Sequence, residues 1–212
     1  MPNCKIDLIQ IFKLLENKFY CIIKIPDEFP EYAIGSDIDI FCYDINNIAN
    51  IILQNTNQYI SDKITIEIKE LNKQIYVDIK EYDKIHFRFD LYGELPNYKN
   101  VKIKPCLFSS IIEHATSKSI LNNELTVKVP CLIDEIIIRY IEYHEWYAQR
   151  PDKIKHINYI EKMIDLEMVD TTLFFDKLHY YTELPMVTES TNNQTPLSKK
   201  SFKEIFRCIR FK

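Results

Sequence analysis

The stretch Gly35-Ser36-Asp37-Ile38-Asp39-Ile40-Phe41 decides how the chain is read. The 212 residues hold two glycines, and both lie next to carboxylates: Gly35 before Asp37 and Asp39, and Gly93 three positions after Asp90. Glycine permits backbone conformations and close approaches that other residues resist, so Gly93 is expected to leave space beside Asp90. Side chains alternate along a strand, so the i, i+2 spacing turns Asp37 and Asp39 to one face and Ile38 and Ile40 into a core. Two neighbouring carboxylates resist joint ionisation. A divalent cation removes that conflict, and hard oxygen ligands suit Mg2+ or Mn2+.

Outward from this strand, the pattern predicts a helix over 4–18 and a buried strand over 19–25, with a loop broken by Pro26 and Pro30 leading to Gly35. After the aspartate strand (37–43), Asp44 is placed to cap a helix over 45–54. Alternating runs predict strands over 63–71, 74–80 and 85–92, with Tyr82-Asp83-Lys84 as a hairpin turn. The last of these strands puts His86, Arg88, Asp90 and Tyr92 on one face. A short helix over 107–114 and a strand over 124–129 follow. Helices are predicted over 132–147, 152–165 and 171–182, then a Thr/Ser/Asn-rich loop (186–200) and a last helix from Ser198 or Ser201. The fold class is α+β: a mixed or largely antiparallel sheet with flanking helices over 1–130, then a mainly helical domain over 131–212.

The formal charge of −4, from 27 basic and 31 acidic residues, gives no general footprint for a long nucleic acid. The six cysteines lie far apart with no zinc-ligand spacing, which fits free thiols in a reducing cytoplasm. Neither a signal peptide nor an apolar run of membrane-spanning length is visible, so a cytoplasmic location is expected.

Asp37 and Asp39 supply two carboxylates. Asp90 is the choice for a third, with Asp78 on the adjacent strand as competitor. Three such groups would hold one or two metal ions against a nucleoside triphosphate. Gly-Ser-Asp-Ile-Asp-Ile-Phe resembles the aspartate-pair strand of the DNA polymerase beta-like nucleotidyltransferases, and Asp90-Leu91-Tyr92-Gly93-Glu94-Leu95 resembles the third-aspartate strand of a bacterial branch of that superfamily. The resemblance covers residues 5–95. It implies a nucleotidyltransferase-like sheet and a helical second half that shapes an acceptor site. It further implies transfer of a nucleoside monophosphate from a triphosphate to a sugar, polyol or phosphorylated small molecule. A looser resemblance is to proteins encoded with bacterial surface-polysaccharide enzymes.

On that resemblance Asp37, Asp39 and Asp90 are the catalytic and metal-binding residues, and Gly35, Ser36, Lys24 and Arg88 are nucleotide-binding candidates. Arg88 can meet phosphate bidentately, or it can form a salt bridge to a neighbouring carboxylate. The family's phosphate-holding Gly-Gly or Gly-Ser pair sits at a helix start upstream of the aspartates. Here Gly35-Ser36 abuts Asp37, and Ile22-Ile23-Lys24-Ile25-Pro26 fills the upstream place. A lysine does not replace backbone N–H groups at a helix start. That departure motivates a second reading, a regulatory protein that binds a nucleotide or partner without turnover. A third is an antitoxin-like transferase acting on a protein or an RNA end.

Farther along, Arg150, Lys153 and His156 are candidates for an acceptor pocket, weighed against an inter-helix turn with Pro151 at a helix start. His86 reads as structural. His144 and Glu145 do not complete a zinc motif, and Trp146 with its tyrosine neighbours reads as core.

Overall fold

The computed structural model describes residues 5–26 and 28–184. The expected loop over 186–200 and the last helix lie outside them. The described chain is α+β, with a mixed five-stranded sheet, a two-stranded hairpin and six α-helices. It divides into two units, one of residues 1–96 and 108–131, the other of 97–107 and 132–212. Residues 97–107, which the sequence reading places in the first half, thus belong with the second.

The first unit begins with helix α1 (Leu8–Leu15), which starts later than the hydrophobic spacing suggests because Asp7 caps it, its side chain accepting from Gln10 N. Strand β1 (Tyr20–Ile22) is shorter than the predicted 19–25. Strand β2 (Ser36–Cys42) carries the aspartate pair. Helix α2 (Ile45–Thr56) is capped by Asp44, whose side chain accepts from Asn47 N at 3.0 Å. Strands β3 (Ile64–Leu71), β4 (Gln74–Glu81) and β5 (Lys84–Tyr92) form an antiparallel meander. The turn between β4 and β5 places Tyr82 and Asp83 at φ 49° and 63°, as a tight hairpin requires. Helix α3 (Cys106–Glu113) follows, and then strands β6 (Thr116–Ile120) and β7 (Leu125–Val129) pair as a hairpin.

The sheet order is β1-β2-β5-β4-β3, and β2 lies parallel to β5. One face is apolar. Ile38, Ile40, Val77, Phe87, Phe89 and Leu91 pack there in one core with Leu8, Ile11, Phe12 and Leu15 of α1 and Ile48 and Ile52 of α2. Burying these side chains supplies most of the driving force, at about 25 cal/mol per Å² of apolar surface. The opposite face carries the polar residues. Phe108 covers one end of it, its ring 5.2 Å from Phe41.

The second unit packs three helices: α4 (Leu132–Trp146), α5 (Ile154–Asp165, preceded by a 3-10 turn Pro151–Lys153) and α6 (Thr171–Tyr181). Fully buried Asp134 of α4 accepts from Lys177 Nζ of α6 at 3.0 Å. The Arg139 guanidinium stacks over Tyr159 of α5 at 4.0 Å. Buried Glu145 accepts from the backbone N–H groups of Lys99 and Asn100 at 2.8 and 2.7 Å, which ties residues 97–100 to α4. Trp146, expected in the core, is 41% exposed at the end of α4.

Candidate functional site

The register of β2 against β5 builds the site. Asp39 lies directly opposite Asp90, and Asp37 directly opposite Arg88. Neighbouring strands run about 4.8 Å apart, so Asp39 and Asp90 share a face as immediate neighbours. On the far side of β5, Tyr76 stands opposite Asp90 and Asp78 opposite Arg88. The polar face therefore carries two rows, Asp39–Asp90–Tyr76 and Asp37–Arg88–Asp78.

Within these rows the carboxylates differ. Asp37 is exposed and Asp39 half-buried. Asp90 is 6% exposed, and its Oδ1 has no hydrogen-bond partner among the described residues. The nearest cation is Arg88 Nε, 3.7 Å away. Burial first, and then the charge of Asp39, push the Asp90 carboxyl up to about 7. Asp78 is the opposite case. It is fully buried and bound by Arg88 through two bonds, Nε to Oδ1 at 2.5 Å and the guanidinium to Oδ2 at 3.0 Å. That pairing holds the Asp78 carboxyl below the usual range. Of the two third carboxylates considered, Asp90 stands beside the aspartate pair, and Asp78 is engaged one strand farther out.

A carboxyl with a raised pKa weakens the fold as it ionises. The native state holds the Asp90 proton between the ordinary aspartate range and about 7. In that window the unfolded chain binds fewer protons, so stability falls as pH rises, and above it the full cost is present. Asp90→Asn is therefore expected to unfold at higher denaturant than wild type at pH 8, by roughly 2–4 kcal/mol, and by much less at pH 4.5. Equilibrium urea unfolding at both pH values measures it.

The other sequence candidates fall as follows. Gly35 has φ +84°, and its N–H donates to His86 O at 2.9 Å. A Cβ there would lie 3.9 Å from Ile85 O, an ordinary contact, so the backbone conformation and not crowding selects glycine. Ser36 opens β2 opposite Phe87, so alternation sends its side chain to the face of Ile38, away from the carboxylates. Lys24 is half-buried and follows Ile23, whose N–H donates to Asp39 O at 3.0 Å. Arg88 is committed to Asp78, so the salt-bridge alternative describes its position. Gly93 does not open space beside Asp90. Its N–H donates to Lys73 O at 2.8 Å, and a Cβ would lie 3.4 Å from both that oxygen and Ile45 Cγ2.

Arg150, Lys153 and His156 lie in the second unit. Arg150 pairs with Asp152 at 3.1 Å. Lys153 Nζ and buried His156 Nε2 converge on Glu142 Oε2 at 3.2 and 3.1 Å, linking α4 to the start of α5. The turn reading therefore accounts for these contacts. His86 is buried, with Nε2 3.1 Å from the Tyr32 hydroxyl.

No protein-family model, no curated protein and no solved structure matches the chain.

Sequence reading passed over Tyr76. Its ring lies 5.2 Å from the Arg88 guanidinium and borders Asp90. The alternation of residues 74–80 already put it with Asp78 on the outward face, and that signal locates it. His144 completes no zinc motif. Burial against Tyr140 and Tyr143 lowers its imidazole to about 4, so it is neutral at physiological pH.

The donor set suits a divalent cation in composition: three aspartates on one sheet face, one of them buried with an oxygen that accepts no hydrogen bond among the described residues. Among the described residues, no three His, Cys, Asp or Glu side chains are already drawn together as ligands. Uncompensated carboxylates repel one another, so the three would have to turn inward around a cation. Among the described residues, no helix is long and apolar enough to cross a membrane.

Proposed function

We propose that the first unit is a metal-dependent nucleotidyltransferase of the DNA polymerase beta-like kind. It would move a nucleoside monophosphate from a triphosphate to a hydroxyl of a sugar, polyol or phosphorylated small molecule. The observation that carries this reading is the apposition, on adjacent parallel strands, of Asp39 and buried Asp90, whose Oδ1 has no hydrogen-bond partner among the described residues, with Asp37 beside them. A buried carboxylate oxygen that accepts no hydrogen bond destabilises a fold, and function is the simplest reason to keep one.

Asp37, Asp39 and Asp90 would hold Mg2+ or Mn2+, which would supply positive charge to the triphosphate. Asp90, facing Asp39 from the adjacent strand, would take the proton of the attacking hydroxyl. The acceptor oxygen forms its bond to the α-phosphorus as the bond to pyrophosphate breaks. Arg88 is a positioning residue in this scheme: anchored to Asp78, it sets one wall of the face on which Asp90 stands. Tyr76 borders the same face.

One observation favours a second reading, binding without turnover. Among the described residues, none between β1 and β2 is helical, so the phosphate-binding helix start that the family carries upstream of its aspartates has no counterpart there, and Gly35-Ser36 sits at the start of β2 instead.

A thermal-shift panel of the four ribonucleoside triphosphates, with and without Mg2+, tests the proposal. At a hundredfold excess over Kd, binding stabilises by about 2.7 kcal/mol, or roughly 5–10 °C in Tm. A magnesium-dependent shift with accompanying pyrophosphate release is expected. A shift without pyrophosphate release supports the second reading, and no shift with any triphosphate contradicts both.

A further inference from the structure

Strand β3 is an edge of the five-stranded sheet, with β4 as its one strand neighbour among the described residues. Such an edge exposes a row of unpaired backbone groups. Tyr82 N donates to Lys63 O at 2.9 Å, in the same register that sets Ile64 opposite Glu81. In an antiparallel ladder the bonded pairs alternate, so the odd residues of β3 face β4 and the even ones face outward. Ile64 spends its outward groups on Ser61, donating to Ser61 O at 3.2 Å and accepting from Ser61 N at 3.1 Å. Ile66, Ile68 and Glu70 remain, with no backbone partner on that side among the described residues. Ile68 and Leu71 are 44% and 59% exposed.

We propose that a second copy of this chain pairs with this edge, β3 against β3 in antiparallel register about a twofold axis at Ile68. Two independent features select that occupant and that register. The first is hydrogen bonding. Centring on Ile68 pairs Ile68 with its mate and Ile66 with Glu70 of the second copy, so every free outward residue is used. Centring on Ile66 or Glu67 would call on Ile64, which Ser61 already occupies. The second is charge. Glu67 meets Lys80 and Lys69 within its own chain, and both Glu67 and Lys69 stay about half exposed; the Ile68 register sets Glu67 opposite Lys69 of the second copy, twice over. Centring on Glu67 sets Glu67 against itself, and centring on Lys69 sets Lys69 against itself. Opposite charges across a ladder stabilise it and like charges oppose it. A lysine in mid-edge discourages arbitrary partners; Glu67 two residues before it makes the same strand complementary to its own copy. The dimer is isologous, as a twofold interface must be.

In this arrangement the two carboxylate faces lie on one side of a continuous ten-stranded sheet. Five strand spacings of about 4.8 Å put the two Asp90 positions about 24 Å apart across the strands. The inference does not depend on what those faces bind.

A ladder this short buries less than a standard interface, so association in the range of about 10–100 µM is expected. Sedimentation equilibrium from about 5 to about 500 µM covers that range. Wild type should pass from monomer to dimer. Glu67→Lys and Lys69→Glu should each weaken self-association about tenfold or more, since each sets like charges opposite at two places. An equimolar mixture of the two variants should dimerise again, because each strand then complements the other. Wild type that stays monomeric throughout overturns the proposal, as does a dimer that both substitutions leave unchanged. Should Lys69→Glu fail to fold, Ile68→Pro decides. Its lost N–H faces outward, so the sheet is kept, and persistent dimerisation with an unchanged melting curve would also overturn the proposal.

Discussion

Asp39→Asn is expected to reduce metal-dependent pyrophosphate release about a thousandfold or more, while the protein melts at the same temperature or higher. The two halves of this result have one cause. Asp39 faces Asp90 across the parallel pair β2/β5 and raises the cost of ionising it. Removing that charge relieves its repulsion with Asp90, while asparagine keeps the side chain's shape and its carbonyl acceptor, so stability is expected to hold. It also removes an oxygen ligand from any cation held there. Several kcal/mol of charge stabilisation would go with it, and each 1.36 kcal/mol is tenfold in rate. A structural aspartate would behave otherwise: its loss would lower stability and leave chemistry to fall only as folded protein fell. Parallel measurement of Tm and steady-state pyrophosphate release separates the two.

Arg88→Met should destabilise the protein by about 3–5 kcal/mol. Asp78 is fully buried, and Arg88 makes both of its short contacts; Lys69 Nζ, 3.5 Å away, lies at the strand edge. Without the guanidinium the carboxylate keeps its desolvation cost and loses most of its compensation. The double variant Asp78→Leu/Arg88→Met should recover much of the loss, because no charge is then left buried. Equilibrium unfolding of the single and double variants measures the coupling. If Arg88→Met instead kept full stability and raised only the KM for the triphosphate, Arg88 would be a phosphate ligand, and the structural role given to it here would be wrong.

The contrast between Asp78 and Asp90 shows how far the sequence could be read. Strict alternation over 63–71, 74–80 and 85–92 put each strand boundary within a residue of its place and put Asp78, Arg88, Asp90 and Tyr76 outward together. Asp44 announced α2 as a capping residue, and it is one. Alternation names a face, however, and does not name a neighbour. That β2 runs parallel to β5 and faces Asp39 with Asp90 is set by the long connection between them and by the core beneath. The choice of Asp78 as Arg88's partner likewise follows from register.

The misses have local causes. The strand Thr116–Ile120 lacks an apolar alternation, is largely exposed, and is defined by its partner Leu125–Val129. Gly93 suggests room for a ligand because glycine can mean either free space or a close backbone approach; here Lys73 and Ile45 already occupy contact distance from where a Cβ would lie. The density of Arg150, Lys153 and His156 suggested a pocket, and the same residues close on Asp152 and Glu142 within their own unit. Charged residues near an inter-helix turn satisfy one another often enough that density alone does not mark a site.

Manganese binding followed by electron paramagnetic resonance tests the central claim most directly, since free Mn2+ gives a signal that binding diminishes. Wild type should take up Mn2+ saturably, Asp39→Asn and Asp90→Asn should each lose that binding, and Asp62→Asn, which alters an exposed carboxylate outside the sheet, should keep it. Wild type that takes up no Mn2+, or uptake unchanged in both sheet variants, would contradict the assignment of a metal to this face.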